Sequence, residues 1–417
     1  MLTSVPANPL YLTVSRRFPF AASLRRRPVG WSLEQCLHWY GETAHAAHST
    51  GGNFVATLGF TGAIDEVTGM VVNVAVIKER VLELLARRWD HRFLNADHPH
   101  FASAVPTPEN MASRLLAECQ PLFADVGARP VVCHIAETPF GGAVAYADGR
   151  VERWAAVEFC AARRTGSPHL DHEENQRRFG VATRRHGHSY HLRVVLGGEV
   201  DARTGVIVPE AEVQGALAAL HDELDHRDLN EDVPALRGQP MTTEWLARYA
   251  YLRLAATLPV ARTRLWELPW LSAEFLGGEQ GALVVESSLR AAHRLHAPAL
   301  DDGANRALYG KCNNPAGHGH RYVVEAACAG VLDAASGTAA ELEEVRRALE
   351  GALAPWQMRH LDEETPDFRE RPSTSENIVS ILWPRLDELL HGRLHRLRLW
   401  ETENNRFTLR RRGATAG

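Results

Sequence analysis

The sequence has no Cys-x-x-Cys pair, no long unbroken apolar run, no excess of basic charge and no extended proline- or serine-rich linker. Each absence excludes something. Its six cysteines, at positions 36, 119, 133, 160, 312 and 328, follow no regular framework, which suits reduced thiols rather than a disulfide scaffold. A bilayer-spanning helix needs about 18 or more consecutive apolar residues. None is found, and Met1 to Phe20 lacks the apolar centre of a secretory signal, so a soluble cytoplasmic protein without a membrane partner is expected. A formal net charge of −5 argues against a nucleic-acid partner, whose binding domains are usually basic on one face. With 417 residues, 45% hydrophobic and 23% charged, the chain is globular and too long for one ordinary core. The lack of linkers implies parts docked tightly against one another.

What the sequence does hold is a threefold repeat. The turn Gly62 to Gly69, with Asp65, returns as Gly198 to Gly205, with Asp201, and as Gly330 to Gly337, with Asp333. Aspartate can bond its own backbone and glycine accepts positive φ, so each segment reads as a tight turn between an apolar strand and an amphipathic helix. A second marker recurs at similar spacing: Thr107-Pro108-Glu109, Thr242-Thr243-Glu244 and Thr374-Ser375-Glu376. A third, Glu137, Glu267 and Glu401, closes each unit. These markers divide the chain into 1–150, 151–282 and 283–417. Within a repeat the pattern predicts strand, strand, helix, helix, strand, strand. In the third repeat it predicts strands over 287–293 and 319–329, helices over 341–353 and 376–390, and a closing hairpin over 393–400 and 406–411. The fold class is α+β: a four-stranded antiparallel sheet backed by two helices in each repeat, with open edges that joining the units into a barrel would remove.

The third repeat carries the chemistry. Cys312 stands six residues ahead of His318-Gly319-His320 on a strand-like run, and residues two apart on a strand share a face. His293 is the candidate third nitrogen, and three histidines with an open fourth position is the arrangement zinc uses in catalysis.

The run Leu308-Tyr309-Gly310-Lys311-Cys312-Asn313-Asn314, the Gly317-His318-Gly319-His320 pair, the Ala292-His293 of the first strand and Glu401-Thr402-Glu403-Asn404-Asn405 resemble the 6-pyruvoyl-tetrahydropterin synthase family, of the tunnelling fold. Weaker copies extend the resemblance over nearly the whole chain. It implies three tandem tunnelling-fold repeats closing a single-chain β-barrel ring, with two rings possibly stacked as a homodimer. It implies zinc on His293, His318 and His320, catalytic Cys312, and a pterin anchored by Glu376 and Glu401 with Thr374 beside them. A neighbouring unit would give an Asp-His dyad that activates the cysteine, for which Asp90-His91 and Asp225-His226 match. The substrate implied is 7,8-dihydroneopterin triphosphate, the product 6-pyruvoyl-tetrahydropterin, and Cys312 is expected to have a lowered pKa, helped by Lys311. Arg25 to Arg27, Arg184 and Arg185 are candidates for the triphosphate.

The departures matter as much. Gln357 and Met358 fill the dyad positions of the third repeat, and neither is a base. The first repeat has Leu24, Thr50 and Gly52 at the ligand positions. The second keeps His186 and His188 but has Arg163 for the first ligand, and no cysteine in Gly180 to Thr183. No repeat is whole, yet the losses complement one another across a boundary, so one working site per chain is expected, with the serving dyad left open. Plainer readings stand beside these: Ser373 to Glu376 also fits a capping box, and His186 with His188 fits a hydrogen-bonded remnant. A pterin-binding scaffold, or the 6-carboxy-tetrahydropterin branch of deazapurine synthesis, are the alternative functions.

Overall fold

The computed structural model describes residues 10–411; the outer ends of the first and third segments, residues 1–9 and 412–417, lie outside that range. Alternating apolar and polar residues become strands here, as period-two patterning requires. The first repeat contributes β1 (Leu10–Leu24), β2 (Thr50–Thr61), the two-residue β3 (Arg92–Phe93), β4 (Arg129–Thr138) and β5 (Gly141–Tyr146). The second contributes β6 (Val151–Arg163), β7 (His186–Gly197), the short β8 (Arg227–Asp228), β9 (Val260–Leu268) and β10 (Leu271–Phe275). The third contributes β11 (Gln280–His293), β12 (His318–Val331), the short β13 (Arg359–His360), β14 (Leu394–Thr402) and β15 (Asn405–Arg411).

The twelve longer strands pair antiparallel in chain order and close on themselves, because β10 pairs with β11 and β15 pairs with β1. Closure leaves no free sheet edge among them, the outcome expected from joining open units. The expected division at 283 falls inside β11, whose pairing with β12 already begins at Gln280 opposite Val331.

Each repeat lays two long helices on the sheet: Val74–Arg88 and Pro108–Cys119, Glu210–Leu224 and Thr243–Ala255, Leu342–Leu353 and Ser375–Leu389. Leu342–Leu353 buries Val345, Leu349 and Leu353, one helical face at a spacing of four. Beyond the pattern read from sequence, a short helix stands between the first two strands of every repeat, at Leu33–Tyr40, His172–Phe179 and Asp302–Tyr309. The last of these carries the chain to Cys312. Along β12, Tyr322, Val324 and Ala326 enter the core, whereas Glu325 turns to the opposite face and meets Arg264 and Arg396. The Arg264–Glu325 pair joins the second and third repeats through the barrel. Burial opposes ionisation of Glu274 there, but Arg396 and Arg264 outweigh it and hold that carboxyl at about 2. Among the described residues no helix is long and apolar enough to cross a membrane.

The repeats interlock through their own sequence markers. Thr107, Thr242 and Thr374 each cap a helix, accepting from the backbone N–H of Asn110, Trp245 and Asn377. Each hydroxyl also donates to a turn carbonyl of the next repeat: Thr107 to Gly205, Thr242 to Gly337, and Thr374 to Gly69 at 2.6 Å. The third contact closes the circle from repeat three to repeat one. One continuous hydrophobic core runs through these two repeats.

Gly69 has φ +67, and a Cβ there would lie 2.6 Å from the Asn377 amide nitrogen and 2.9 Å from Pro372. Gly69→Ala is therefore expected to cost about 1–3 kcal/mol, combining left-handed strain with a clash at the closing boundary. Gly149→Ala (φ +90, nothing within 4 Å) carries the strain alone. Thermal melts of the two variants test this; equal losses would contradict an interlock at Gly69.

Candidate metal centre and its boundary

The last residue of β11, His293, pairs directly with the first residue of β12, His318, and His320 lies two residues on, opposite Ala291. Register thus brings three imidazoles to one face, with ring centroids 4.5, 5.2 and 5.0 Å apart. One nitrogen from each lies within 4.8 Å of the others. His293 is fully buried, and its Nδ1 donates to the Ser373 carbonyl at 3.0 Å, which fixes the proton there. Its Nε2 lone pair then faces His318 Nε2 at 3.2 Å. Burial, opposed by the Ser373 bond and reinforced by neighbouring imidazoles, pushes His293 down to about 3, so it is neutral near pH 7. Three imidazoles converging on one point, one locked by a carbonyl behind it, fit a tetrahedral cation with an open position.

Around this cluster stand the other expected residues. Cys312 lies half-buried in the turn after Asp302–Tyr309, tied to the end of β11 by the bond from Leu295 N–H to its carbonyl, 3.0 Å. The expected low pKa is not what the protein groups alone produce: burial and then Glu401 raise the thiol, and Lys311 lowers it by less. Glu401 accepts from Ser375 and Asn405, each at 3.3 Å. Glu376 is buried and accepts from Val71 N–H of the first repeat at 3.2 Å. The capping box at Ser373 does not form, because Thr374 is the cap and Ser373 donates instead to Asp362. Thr374, expected beside the substrate, donates its hydroxyl to Gly69 and accepts from Asn377 N–H, so that hydroxyl closes the ring.

Burial first, and then repulsion by Glu401, raises Glu376 to about 8; burial likewise raises Glu244 to about 7 and Glu109 above the ordinary range. The folded state holds these protons where an unfolded chain, with carboxyls near 4.5, has released them. Folding therefore takes up protons, and stability falls as pH rises from about 5 toward 8. Glu376→Gln should flatten this decline in a series of melts; an unchanged slope would show that Glu376 is ionised in the folded protein.

Both dyads are built alike. His91 Nδ1 lies 2.9 Å from Asp90, whose other oxygen accepts from Ala21 N–H, and His91 N–H donates to the Ala21 carbonyl. His226 Nδ1 lies 2.6 Å from Asp225, anchored in the same way on Cys160. The Cys160 N–H and then His226 hold Asp225 below the usual carboxylate range. Gln357 and Met358 repeat this geometry on Arg290 without the chemistry. His91, His226 and Met358 share positive φ of 56, 55 and 61°, strain that persists only where the surroundings impose it. The histidines are 82% and 81% exposed, and among the described residues no hydrogen bond or ion pair joins either to Cys312.

The pocket of the third repeat borders the first. Tyr309 donates to the Thr68 carbonyl, Asn73 to that of Leu308, and Val71 to Glu376. Beside Glu401, Arg17 N–H donates to the Asn404 carbonyl, so β1 runs along this hairpin and four residues on reaches Ala21, which holds Asp90-His91. Asp225-His226 sits on β6 instead, beside the hairpin of the first repeat, where Ala156 N–H donates to Phe140.

At the first boundary Leu24 pairs with Thr50 and Ala22 with Gly52, so no ligand faces another. Arg26 is buried there on Glu137 at 2.8 Å, and Arg185 of the second repeat, largely exposed, pairs with Asp228. At the second, Arg163 takes the place of His293 opposite His186 and is ion-paired with Glu267, which His188 also meets at 3.1 Å. Sequence reasoning missed His360: both its ring nitrogens are buried without a hydrogen bond, Nδ1 lies 3.9 Å from Asp362, and Nε2 packs against Gly317 beside the cluster. No spacing signals it.

Fold and site together define a barrel of three fused α+β repeats with a candidate metal centre at one internal boundary. The family model described as 6-pyruvoyl tetrahydropterin synthase matches three times, over residues 11–147, 154–277 and 282–412, and the chain belongs to that family. It is 38% identical over 120 residues to the 6-pyruvoyl tetrahydrobiopterin synthase of Homo sapiens, covering 28% of this chain and 83% of that protein. The synthase of Poecilia reticulata is 35% identical over 127 residues, covering 30% and 86%. Among solved structures, the 6-pyruvoyl tetrahydropterin synthase of Caenorhabditis elegans aligns with 33% identity and a TM-score of 0.30, covering 31% of this chain and 94% of that one.

Proposed function

We propose that this chain is a zinc-dependent carbon-oxygen lyase that converts 7,8-dihydroneopterin triphosphate to 6-pyruvoyl-tetrahydropterin with elimination of triphosphate, at one composite site between repeats three and one. The observation that carries this reading is the convergence of His293, His318 and His320 beside Cys312, Glu376 and Glu401. Zinc held by the three imidazoles would supply Lewis acidity toward the substrate's side-chain oxygens.

The chain's own groups do the rest. Glu376 and Glu401 accept hydrogen bonds from the amino and ring N–H edge of the pterin, which fixes its orientation. Cys312 moves the carbon-bound protons as a thiolate. Asp90, ionised and bonded to His91 Nδ1, leaves Nε2 as the basic nitrogen to relay the proton. Asp225-His226 is idle in this reading, since its hairpin partner belongs to the metal-free first repeat. A cytoplasmic location and stacking of two rings, which would cover the exposed face of His91, complete the reading.

The test is to incubate zinc-loaded protein with 7,8-dihydroneopterin triphosphate and identify the products by mass. Release of intact triphosphate with 6-pyruvoyl-tetrahydropterin is expected. A 6-carboxy product with an aldehyde by-product would place the enzyme in the other branch, and zinc content without triphosphate release would make it a scaffold.

A further inference from the structure

The boundary between repeats two and three holds a pocket that the proposed reaction does not use. It has a cavity volume of about 110 Å³ and lies between the ends of β6 and β9 and the turn that precedes Leu342–Leu353. Leu271 and Leu283 give it apolar walls; Arg163, Thr243, Glu244 and Glu267 give it polar ones. Its few convergent polar groups on an apolar lining are those of a small-molecule site.

Arg163 sets its chemistry. The side chain is 1% exposed, ion-paired with Glu267, and 3.2 Å from the Thr243 hydroxyl. All of these bonds use Nη2; Nε and Nη1 are buried with no partner. Buried guanidinium N–H groups without acceptors are rare in folded proteins and call for an oxygen or nitrogen acceptor from elsewhere. Glu244, which also lines the pocket, accepts from Ala339 N–H at 3.2 Å and has acceptor capacity to spare. A ligand that satisfies both must present an acceptor beside an edge of N–H donors on a flat ring. A 2-amino-4-oxo-pyrimidine edge, as in a pterin, does this.

The same positions explain why no metal is needed. Arg163 stands in register where His293 stands at the other boundary. His186, His188 and Glu267 could together reach an ion, but Glu267 is already neutralised by the guanidinium, and a divalent cation there would be placed against a fixed positive charge. The turn Gly180–Thr183 offers no thiol.

We propose that the pocket between repeats two and three is a metal-independent binding site for the ring of a pterin-class heterocycle, in which the Arg163 guanidinium takes the place of the metal and Glu244 receives the ring N–H edge. The ligand class rests on the pterin specificity proposed for the third repeat. The site binds without turning over, so the chain carries one reactive and one purely binding pocket.

The experiment uses chelator-treated full-length protein carrying His293→Ala and Glu376→Gln, which removes the other pterin site, titrated with 2-amino-4-oxopteridine by calorimetry. One binding event per chain is expected, weakened at least tenfold by Arg163→Met and, separately, by Glu244→Gln, with folding of each variant checked by its melt. No binding by the parent, or binding indifferent to both substitutions, overturns the proposal, as does zinc retained on His186 and His188 after chelation. If the wild-type protein releases triphosphate while the stripped protein binds no pterin, this inference fails alone. Binding without any turnover by the wild type would sink the catalytic reading and leave this one standing.

Discussion

His293→Ala is expected to lower turnover of the zinc-loaded enzyme by at least about a thousandfold while leaving the barrel folded. A bound metal ion contributes several kcal/mol of transition-state stabilisation, and each 1.36 kcal/mol is a factor of ten. The expectation rests on His293 being the one ligand whose tautomer is fixed from behind, through Ser373, so that its lone pair is aimed before any ion arrives. His186→Ala, in the second repeat, should leave turnover unchanged, because His186 and His188 face an arginine-neutralised glutamate. The rates of the two variants, with melts to confirm folding, check this. Equal loss in both would mean that the second boundary is also reactive.

His91→Ala is expected to lower turnover by about 10²- to 10⁴-fold, the usual range for a positioned acid-base group, and His226→Ala to leave it within about twofold. The asymmetry follows from ring direction. The three-histidine pocket borders the first repeat through Val71, Thr68 and Asn73, and β1, which runs along the Glu401 hairpin, holds Asp90-His91 at Ala21. Since His91 is largely exposed in a single chain, a mixture of His91→Ala and Cys312→Ala chains reports how it is delivered. Regained activity means that a second ring supplies the dyad; none means that the chain supplies its own. A loss confined to His226→Ala would reverse the assignment of the boundary.

Much of this was legible in residue spacing. His318 and His320 share a face because strands have period two, and the three Asp-to-Gly turns and three Thr-led helices mark the repeats without any structure. That these two markers touch was not legible, since Thr374 and Gly69 meet only when the ring closes across 305 positions. The serving dyad stayed open for the same reason: it depends on which repeat borders which. Local patterns also left rival readings open. Ser373 to Glu376 has the spacing of a capping box, but Glu376 is drawn away to Val71 of another repeat. Lys311 beside Cys312 suggested an acidic thiol, whereas burial and Glu401, distant in sequence, act in the opposite direction. Arg163 read as a lost ligand; with Glu267 beside it, it reads as a cation built into the chain.

The most direct test of a single composite site is the metal content of purified, dialysed protein, counted per chain by elemental analysis. One zinc per chain is predicted, reduced to none by His293→Ala and undisturbed by His188→Ala. Two or three per chain, or one that survives His293→Ala, would contradict the assignment of the metal to the third repeat alone.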